Sequence, residues 1–144
     1  CAALLIGIQK RYEKDFHNNI KGYEQELAIF QRNLVVSEQK KIQPRILKMK
    51  SLYNNDRIPE SHNVRGLPKK LDKIFDSRLQ RQTRIQSNYS NEIESIRRPY
   101  RANLARLSKE LNSKGLASRV KYVEKELSET DKGTENFMNH ILEN

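Results

Sequence analysis

The feature that most constrains this chain is a helical spacing of apolar residues that occurs twice. Between residues 8 and 34, apolar residues recur at steps of three and four, which is the spacing of one face of an α-helix. The same pattern returns between residues 85 and 111 at an offset of 77 positions, so that Tyr100 takes the place of Tyr23. The sequence therefore predicts two long helices of similar construction.

A shorter apolar stretch follows each long one. At an offset of 74 positions, Val120 takes the place of Ile46, so each long helix is followed by a short helix with its own stripe. A helix, a turn and a second helix form a hairpin, and this hairpin is present twice. The predicted fold class is all-α, with two tandem helical hairpins that form an elongated coiled coil or a four-helix bundle.

The turn residues divide the chain into four parts. Proline, glycine and asparagine concentrate between the two repeats and predict a linker there. Gly115 is predicted to make the turn that ends the second long helix, because glycine adopts the left-handed conformation easily. The predicted boundaries are 1–54 for the first hairpin, 55–68 for the linker, 69–130 for the second hairpin, and 131–144 for an acidic tail with a short helix.

Three residues that weaken helices have predicted positions inside or near them. Gly22 and Pro99 are equivalent in the two repeats and predict a bend at the same height of each long helix. Two interpretations stay open: a hinge or bent docking surface, and a kink that keeps the stripe on the partner helix. Pro44 is predicted near the start of a short helix, where its missing N–H is tolerated.

The charge is unevenly distributed. The chain has 28 Lys and Arg against 18 Asp and Glu, and only 3 of those basic residues but 6 of the acidic ones lie in 121–144. The excess of basic residues before residue 121 favours binding to acidic partners. The alternative is that these charges only keep the helix surface solvated. The candidate basic interaction surface consists of Lys40, Lys41, Arg45, Lys48, Lys50, Lys69, Lys70, Arg78, Arg81, Arg84, Arg97, Arg98 and Arg101.

A search for catalytic or cofactor chemistry in the sequence finds none. No glycine-rich phosphate loop occurs, and His17, His62 and His140 have no second metal ligand at helical spacing, so surface positions are expected. We expect no enzyme, no cofactor and no metal. Two interpretations of the tyrosines are weighed. Stacking on single-stranded nucleic acid is less favoured than core packing with the hydroxyls at the edge, and Tyr122 is the best surface candidate.

The beginning of the sequence also has two interpretations. Cys1 could be the acylated first residue of a mature lipoprotein, in which case the protein is anchored to a membrane. Alternatively, Leu4, Leu5 and Ile8 begin the apolar stripe of the first helix, which their spacing favours. The single cysteine rules out an intrachain disulfide framework.

The second hairpin resembles segments in exported proteins of planctomycetes and verrucomicrobia. The resemblance covers roughly residues 80–129 and, more faintly, 5–54. It rests on Ile85, Gln86, Tyr89, Tyr100, Leu104, Leu107, Leu111, Gly115, Ala117, Val120, Val123, Glu124 and Leu127. The family implies an exported helical scaffold, in the cell envelope or outside the cell, rather than an activity. The first hairpin lacks the turn glycine of this pattern.

These observations predict a non-enzymatic structural or interaction protein. In this interpretation a coiled-coil scaffold presents a basic surface to a protein partner or to a second copy of itself. The first alternative is a nucleic-acid-binding module, or binding to another acidic polymer, through the basic central segment, residues 37–120. The second alternative is an envelope lipoprotein anchored through Cys1.

Overall fold

The fold is entirely helical in the part of the chain that can be described. The computed structural model describes residues 1–51, 53, 56–59 and 68–143. The bounds of the helices are α1 Ala2–Arg32, α2 Val36–Ser51, α3 Lys69–Ser113, α4 Ala117–Asp131 and α5 Thr134–Glu143. No β-strand lies in these residues, which confirms the all-α class. Residues 55 and 60–67 of the predicted linker, with His62, lie outside the described residues.

The helices pack into two compact units. Unit 1 comprises Cys1–Arg11 and Ser87–Asn144, and unit 2 comprises Tyr12–Gln86. Helices α1 and α3 therefore contribute residues to both units. The predicted boundaries follow the order of two hairpins along the chain, and the division by packing does not coincide with them. The tandem-hairpin arrangement stays a prediction.

Unit 2 has a core built by three helices and one short segment. The apolar faces of α1, α2 and α3 meet because each carries its apolar residues at helical spacing. Tyr23 contacts the Phe75 ring edge-on, with ring centroids 6.4 Å apart. The backbone of Ile58 is paired with the Gln82 side chain at both N–H and C=O, which fixes this segment against α3. The buried cluster consists of Ile20, Tyr23, Leu27, Phe30, Ile42, Ile46, Met49, Ile58, Leu71 and Phe75.

Unit 1 has a smaller core. Leu5 and Ile8 of α1 are buried, whereas Leu4 is exposed, so only two of the three residues expected to begin the apolar stripe do so. Phe137 of α5 is fully buried and packs against the Tyr100 ring of α3, with centroids 5.4 Å apart. The remaining buried apolar residues of this unit are Ile93, Val120 and Met138.

Pro44 requires a correction to the sequence interpretation. It was expected near the start of a short helix, but α2 begins at Val36, so the proline lies in the middle of the helix. In the turn before α2, the Gln39 side chain and backbone N–H donate to the carbonyls of Leu34 and Val35. Pro44 removes one backbone hydrogen bond from α2 but is itself exposed to solvent.

The turn between α3 and α4 depends on Gly115. This residue has φ +70°, which side chains with a Cβ adopt only with strain. Its N–H donates to the carbonyl of Asn112, and the N–H of Leu116 donates to the carbonyl of Leu111. These two bonds form a Schellman motif, so they satisfy carbonyls that the end of α3 would leave unpaired.

Candidate interaction surface

A partly buried ion pair joins α1 and α3 in unit 2. The Arg78 Nε donates to the carboxylate of Glu26 at 2.6 Å, and the Arg78 side chain is 15% exposed. Asn19, which is buried, donates to the backbone carbonyl of Arg78 at 3.1 Å and accepts from its guanidinium at 3.4 Å. Each polar group in this cluster therefore has a partner, as buried charges require.

Gly22 lies directly beside this ion pair. A Cβ at this position would lie 2.7 Å from both terminal nitrogens of Arg78, closer than atoms approach without displacement. The guanidinium thus lies against the bare backbone of α1. The absence of a side chain at Gly22 therefore makes room for the Arg78 guanidinium. The bend predicted at Gly22 and Pro99 stays a prediction.

A second partly buried arginine joins three helices in unit 1. Arg97 pairs with Glu94 in α3 and donates to the carbonyl of Thr130 at 2.8 Å, near the end of α4. Because the last carbonyls of a helix lack intrahelical partners, this bond caps α4. The hydroxyl of Thr134, at the start of α5, donates to Glu94. The Arg97 guanidinium holds the pKa of Glu94 below its usual value, although burial acts in the opposite direction.

Glu126 of α4 is the centre of another polar cluster in unit 1. Its carboxylate accepts a hydrogen bond from the Tyr100 hydroxyl at 2.6 Å and lies 2.7 Å from Nε2 of His140. Burial raises the pKa of Glu126, but the bonds to Tyr100 and His140 lower it more, so the net shift is downward. Burial, followed by the neighbouring carboxylate, raises the pKa of Tyr100 to about 12. The cluster connects α3, α4 and α5.

Two hydroxyls in the core of unit 2 lack partners. The hydroxyls of Tyr23 and Tyr53 are buried and, in the described part of the chain, neither makes a hydrogen bond of good geometry. Burial raises the pKa of both phenols far above the usual value. The sequence predicted that stripe tyrosines would direct their hydroxyls to the edge, so Tyr23 is a correction. The other predicted stripe tyrosines, Tyr12, Tyr89 and Tyr100, are half-buried, and Tyr122 is 79% exposed.

The predicted basic residues fall into three groups. Arg78 and Arg97 form the ion pairs described above, so they are corrections to the predicted free surface. Exposed Arg98 and Arg101 pair with Glu94 and Asp131, and Arg45 and Lys50 are half-buried. The exposed residues without a carboxylate partner among the described residues are Lys40, Lys41, Lys48, Lys69, Lys70, Arg81 and Arg84.

The sequence interpretation missed further cations that face solvent beside these. Lys14, Lys21 and Arg32 are exposed on α1, separated by seven and eleven residues, which are close to two and three full helical turns. The signal was available, because these residues lie opposite the apolar stripe of α1. We define the α1–α3 basic face of unit 2 by its exposed cations without a carboxylate partner among the described residues: Lys14, Lys21, Arg32, Lys70, Lys73, Arg81 and Arg84.

The described residues also bear on metal and membrane sites. Among them, no three His, Cys, Asp or Glu side chains are grouped as metal ligands. Within the same residues, no helix has both the length and the apolar character for crossing a membrane. Comparisons of the chain with family models, with curated proteins and with solved structures found no match.

Proposed function

We propose that this protein is a non-enzymatic interaction module that presents a basic helical surface to an acidic partner. The observation that carries the proposal is the α1–α3 basic face, whose seven exposed cations have no carboxylate partner among the described residues. Unpaired charges on one face create a positive potential that attracts and orients an acidic partner.

In unit 1, three of the predicted surface arginines, Arg97, Arg98 and Arg101, pair with carboxylates of the same unit. Exposed cations without a carboxylate partner among the described residues occur there as well, including Arg106, Lys109 and Lys114. The proposal therefore depends on the placement of the cations of the α1–α3 basic face on two helices that pack together, and the test below compares that face with these cations of unit 1.

The perturbed carboxylates have causes in the packing of unit 1. Glu94 and Glu126 have lowered pKa values because their carboxylates are held by neighbouring donors. Tyr100 and His140 connect α3 and α5 to Glu126 of α4, and Thr134 connects α5 to Glu94 of α3. The shifts therefore have a structural cause, and none requires a bound substrate.

The scaffold itself belongs to the proposal. We infer that α1 with α2 and α3 with α4 form the two tandem hairpins, because each long helix is followed by a short one. The turn at Gly115 supports this arrangement for the second pair. Light scattering at several protein concentrations tests whether the hairpins also bind a second copy, since self-association raises the mass with concentration.

Retention on an immobilised polyanion tests the proposed function. Heparin and poly-glutamate columns are loaded with the unchanged chain, with a face variant and with a control variant. The face variant is Lys21→Gln, Arg81→Gln and Arg84→Gln. The control is Arg106→Gln, Lys109→Gln and Lys114→Gln, which removes the same charge from exposed positions of unit 1.

The two variants separate a specific face from net charge. We expect the face variant to elute from at least one column at clearly lower salt than the unchanged chain, and the control to elute close to it. Equal retention of both variants would contradict the proposal, because net charge alone would then explain binding. Weak retention of all three chains would contradict it as well.

A further inference from the structure

We propose that the α1–α3 basic face of unit 2 binds the phosphate backbone of double-stranded nucleic acid without reading its sequence. This inference rests on the proposed function and names its partner. Lysine and arginine contacts to phosphate supply most of the affinity of sequence-independent binding. The face offers seven such side chains on two neighbouring helices.

The cations form two rows along the helices. On α1, Lys14, Lys21 and Arg32 follow one another at about 10 and 16 Å, from a rise of about 1.5 Å per residue. On α3, Lys70 and Arg81 are separated by eleven residues, or about 16 Å. Lys73 and Arg84 have the same separation in a parallel line on that helix. Each row therefore has charges at intervals along an extended polyanion.

The packing of α1 against α3 places the two rows on neighbouring helices. Asn19 and Glu26 of α1 both bond to Arg78 of α3, which holds the two helices in direct contact. Axes of helices in contact are about 8–10 Å apart. Cations carried by two helices this close can therefore contact phosphates of the same duplex.

The surface between the rows is polar and concave. A cavity of about 350 Å³ lies between α1 and α3, lined by Asp15, Asn18, Asn19, Arg78, Arg81 and Ile85. Arg78 and Asn19 bond to each other, and Arg78 bonds to Glu26, so the exposed donors of the cavity that suit phosphate oxygens are Asn18 and Arg81. Asp15 lies one turn from Asn18 on α1 and repels phosphate locally, so we expect the contacts to centre on Arg81 of α3.

The chemistry of the face favours a duplex over a single strand. Proteins that grip single strands stack bases on exposed aromatic rings. In the described residues of unit 2 no aromatic side chain is exposed: Tyr23 and Phe16 are buried, and Tyr12 and Tyr53 are half-buried. The exposed Tyr122 belongs to unit 1. Phosphate contacts are therefore the means of binding that this face offers.

The same face favours nucleic acid over an acidic protein. The centre of a protein–protein interface is apolar, with charged residues at its rim. Among the described residues between the two cation rows, Ile29 is the exposed large apolar side chain, whereas Asn18 and Gln25 on the same side of α1 are polar. This composition is typical of nucleic-acid interfaces, which are more polar and more positively charged.

Fluorescence anisotropy tests the proposal on the complete chain. The probes are a labelled 20-base-pair duplex, its labelled single strand and a second duplex of different sequence. The titrations use the face variant and the control variant defined above at several salt concentrations. Circular dichroism verifies that the variants, which alter exposed residues only, keep the helical fold.

We expect the unchanged chain to bind both duplexes alike and more tightly than the single strand. Its affinity should fall by about 10³ between 50 and 200 mM salt if six or more phosphates are contacted. The face variant should bind on the order of 100-fold more weakly near 0.1 M salt, with a salt slope shallower by about 2.7, and the control should match the unchanged chain.

Several results would overturn the inference. Tighter binding to the single strand would do so, as would an equal loss of affinity in the control variant. Competition with unlabelled poly-glutamate separates the inference from the proposed function. If poly-glutamate binds through the face and the duplex does not, nucleic acid is the wrong partner and the interaction module stands. If neither polymer binds, both proposals fail.

Discussion

The two predicted copies of the long apolar stripe differ in what covers them. In the first copy, Leu27 is 0% exposed within the three-helix core of unit 2. Leu104 is the equivalent of Leu27 in the second copy. Leu107, three residues later, is 41% exposed, whereas its equivalent in the first copy, Phe30, is buried. Identical spacing therefore places residues on one helix face, but neighbouring elements decide whether that face is buried.

Tyr23 and Tyr100, which are equivalent in the two predicted copies, differ both in burial and in the hydrogen bonding of their hydroxyls. Tyr23 is fully buried with its hydroxyl unpaired, whereas Tyr100 is half-buried and donates to Glu126. The first copy thus gains apolar burial and leaves a polar atom unsatisfied. The second copy gains a hydrogen bond to a charged acceptor and loses burial. Each difference leads to a paired experiment.

The largest effect is expected from truncating the two stripes. Leu27→Ala should lower the free energy of unfolding by about 2–5 kcal/mol, because it leaves a cavity in a closed core. Leu107→Ala should cost less than about 1 kcal/mol, since its side chain already contacts water. Urea unfolding of both variants measures the difference. Equal losses would show that the two stripes are buried alike in solution.

The hydroxyls give the next largest effect. Tyr100→Phe removes a hydrogen bond to a carboxylate and should cost about 1.5 kcal/mol. Tyr23→Phe removes a buried hydroxyl that has no partner among the described residues and should be neutral or stabilising. The matched substitutions are compared by urea unfolding. A loss for Tyr23→Phe as large as that for Tyr100→Phe would reveal a partner for the Tyr23 hydroxyl.

The pH dependence of the free energy of unfolding should differ between the unchanged chain and the variant Glu126→Gln. The pKa of this carboxyl is lowered on folding from the ordinary value of 4.5, so its stabilisation is complete above that value. It is lost as the pH falls below 4.5 through the lowered pKa. Unfolding followed from pH 7 to pH 3 should therefore show a weaker acid dependence in Glu126→Gln than in the unchanged chain.

Glu110→Gln is the control for this experiment, because Glu110 is exposed. Its acid dependence should resemble that of the unchanged chain. An unaltered profile for Glu126→Gln would mean that the contacts of Glu126 with Tyr100 and His140 do not hold in solution.

The smallest effect compares two glycines of α1. Gly7→Ala should stabilise by about 1 kcal/mol, because a Cβ there meets nothing within 4 Å and alanine favours the helix. Gly22→Ala should show no such gain, since its Cβ would displace the Arg78 guanidinium. Thermal unfolding of both variants measures the contrast. A full gain at Gly22 would show that the ion pair shifts aside without cost.

Helix type was predictable here because it depends on local periodicity. The spacing of Tyr23, Leu27 and their neighbours fixes one face of a helix, whatever covers it. Gly115 was predictable as a turn because glycine adopts positive φ easily. Pro44 was expected too near the start of α2 because the buried apolar stripe begins at Ile42, whereas the helix begins six residues earlier at Val36.

The candidate surface was only partly predictable. The sequence identifies Arg81 and Arg84 as cations on a predicted long helix. In the structure both side chains are exposed. It could not separate them from Arg78, three residues before Arg81, whose partner Glu26 lies on another helix. Lys14 and Lys21 were predictable as exposed cations, because they lie opposite the apolar stripe of α1.

The sequence by itself determined that this chain is helical, strongly basic and punctuated at Gly115, because composition, periodicity and backbone preference are properties of neighbouring residues. Only the tertiary structure decided which charges are neutralised and which stripe is buried. Arg97 has a carboxylate partner, whereas Arg81 has none among the described residues. Leu27 is buried, whereas Leu107 is exposed to solvent. Ion pairs and burial depend on residues far apart in the chain that packing brings together.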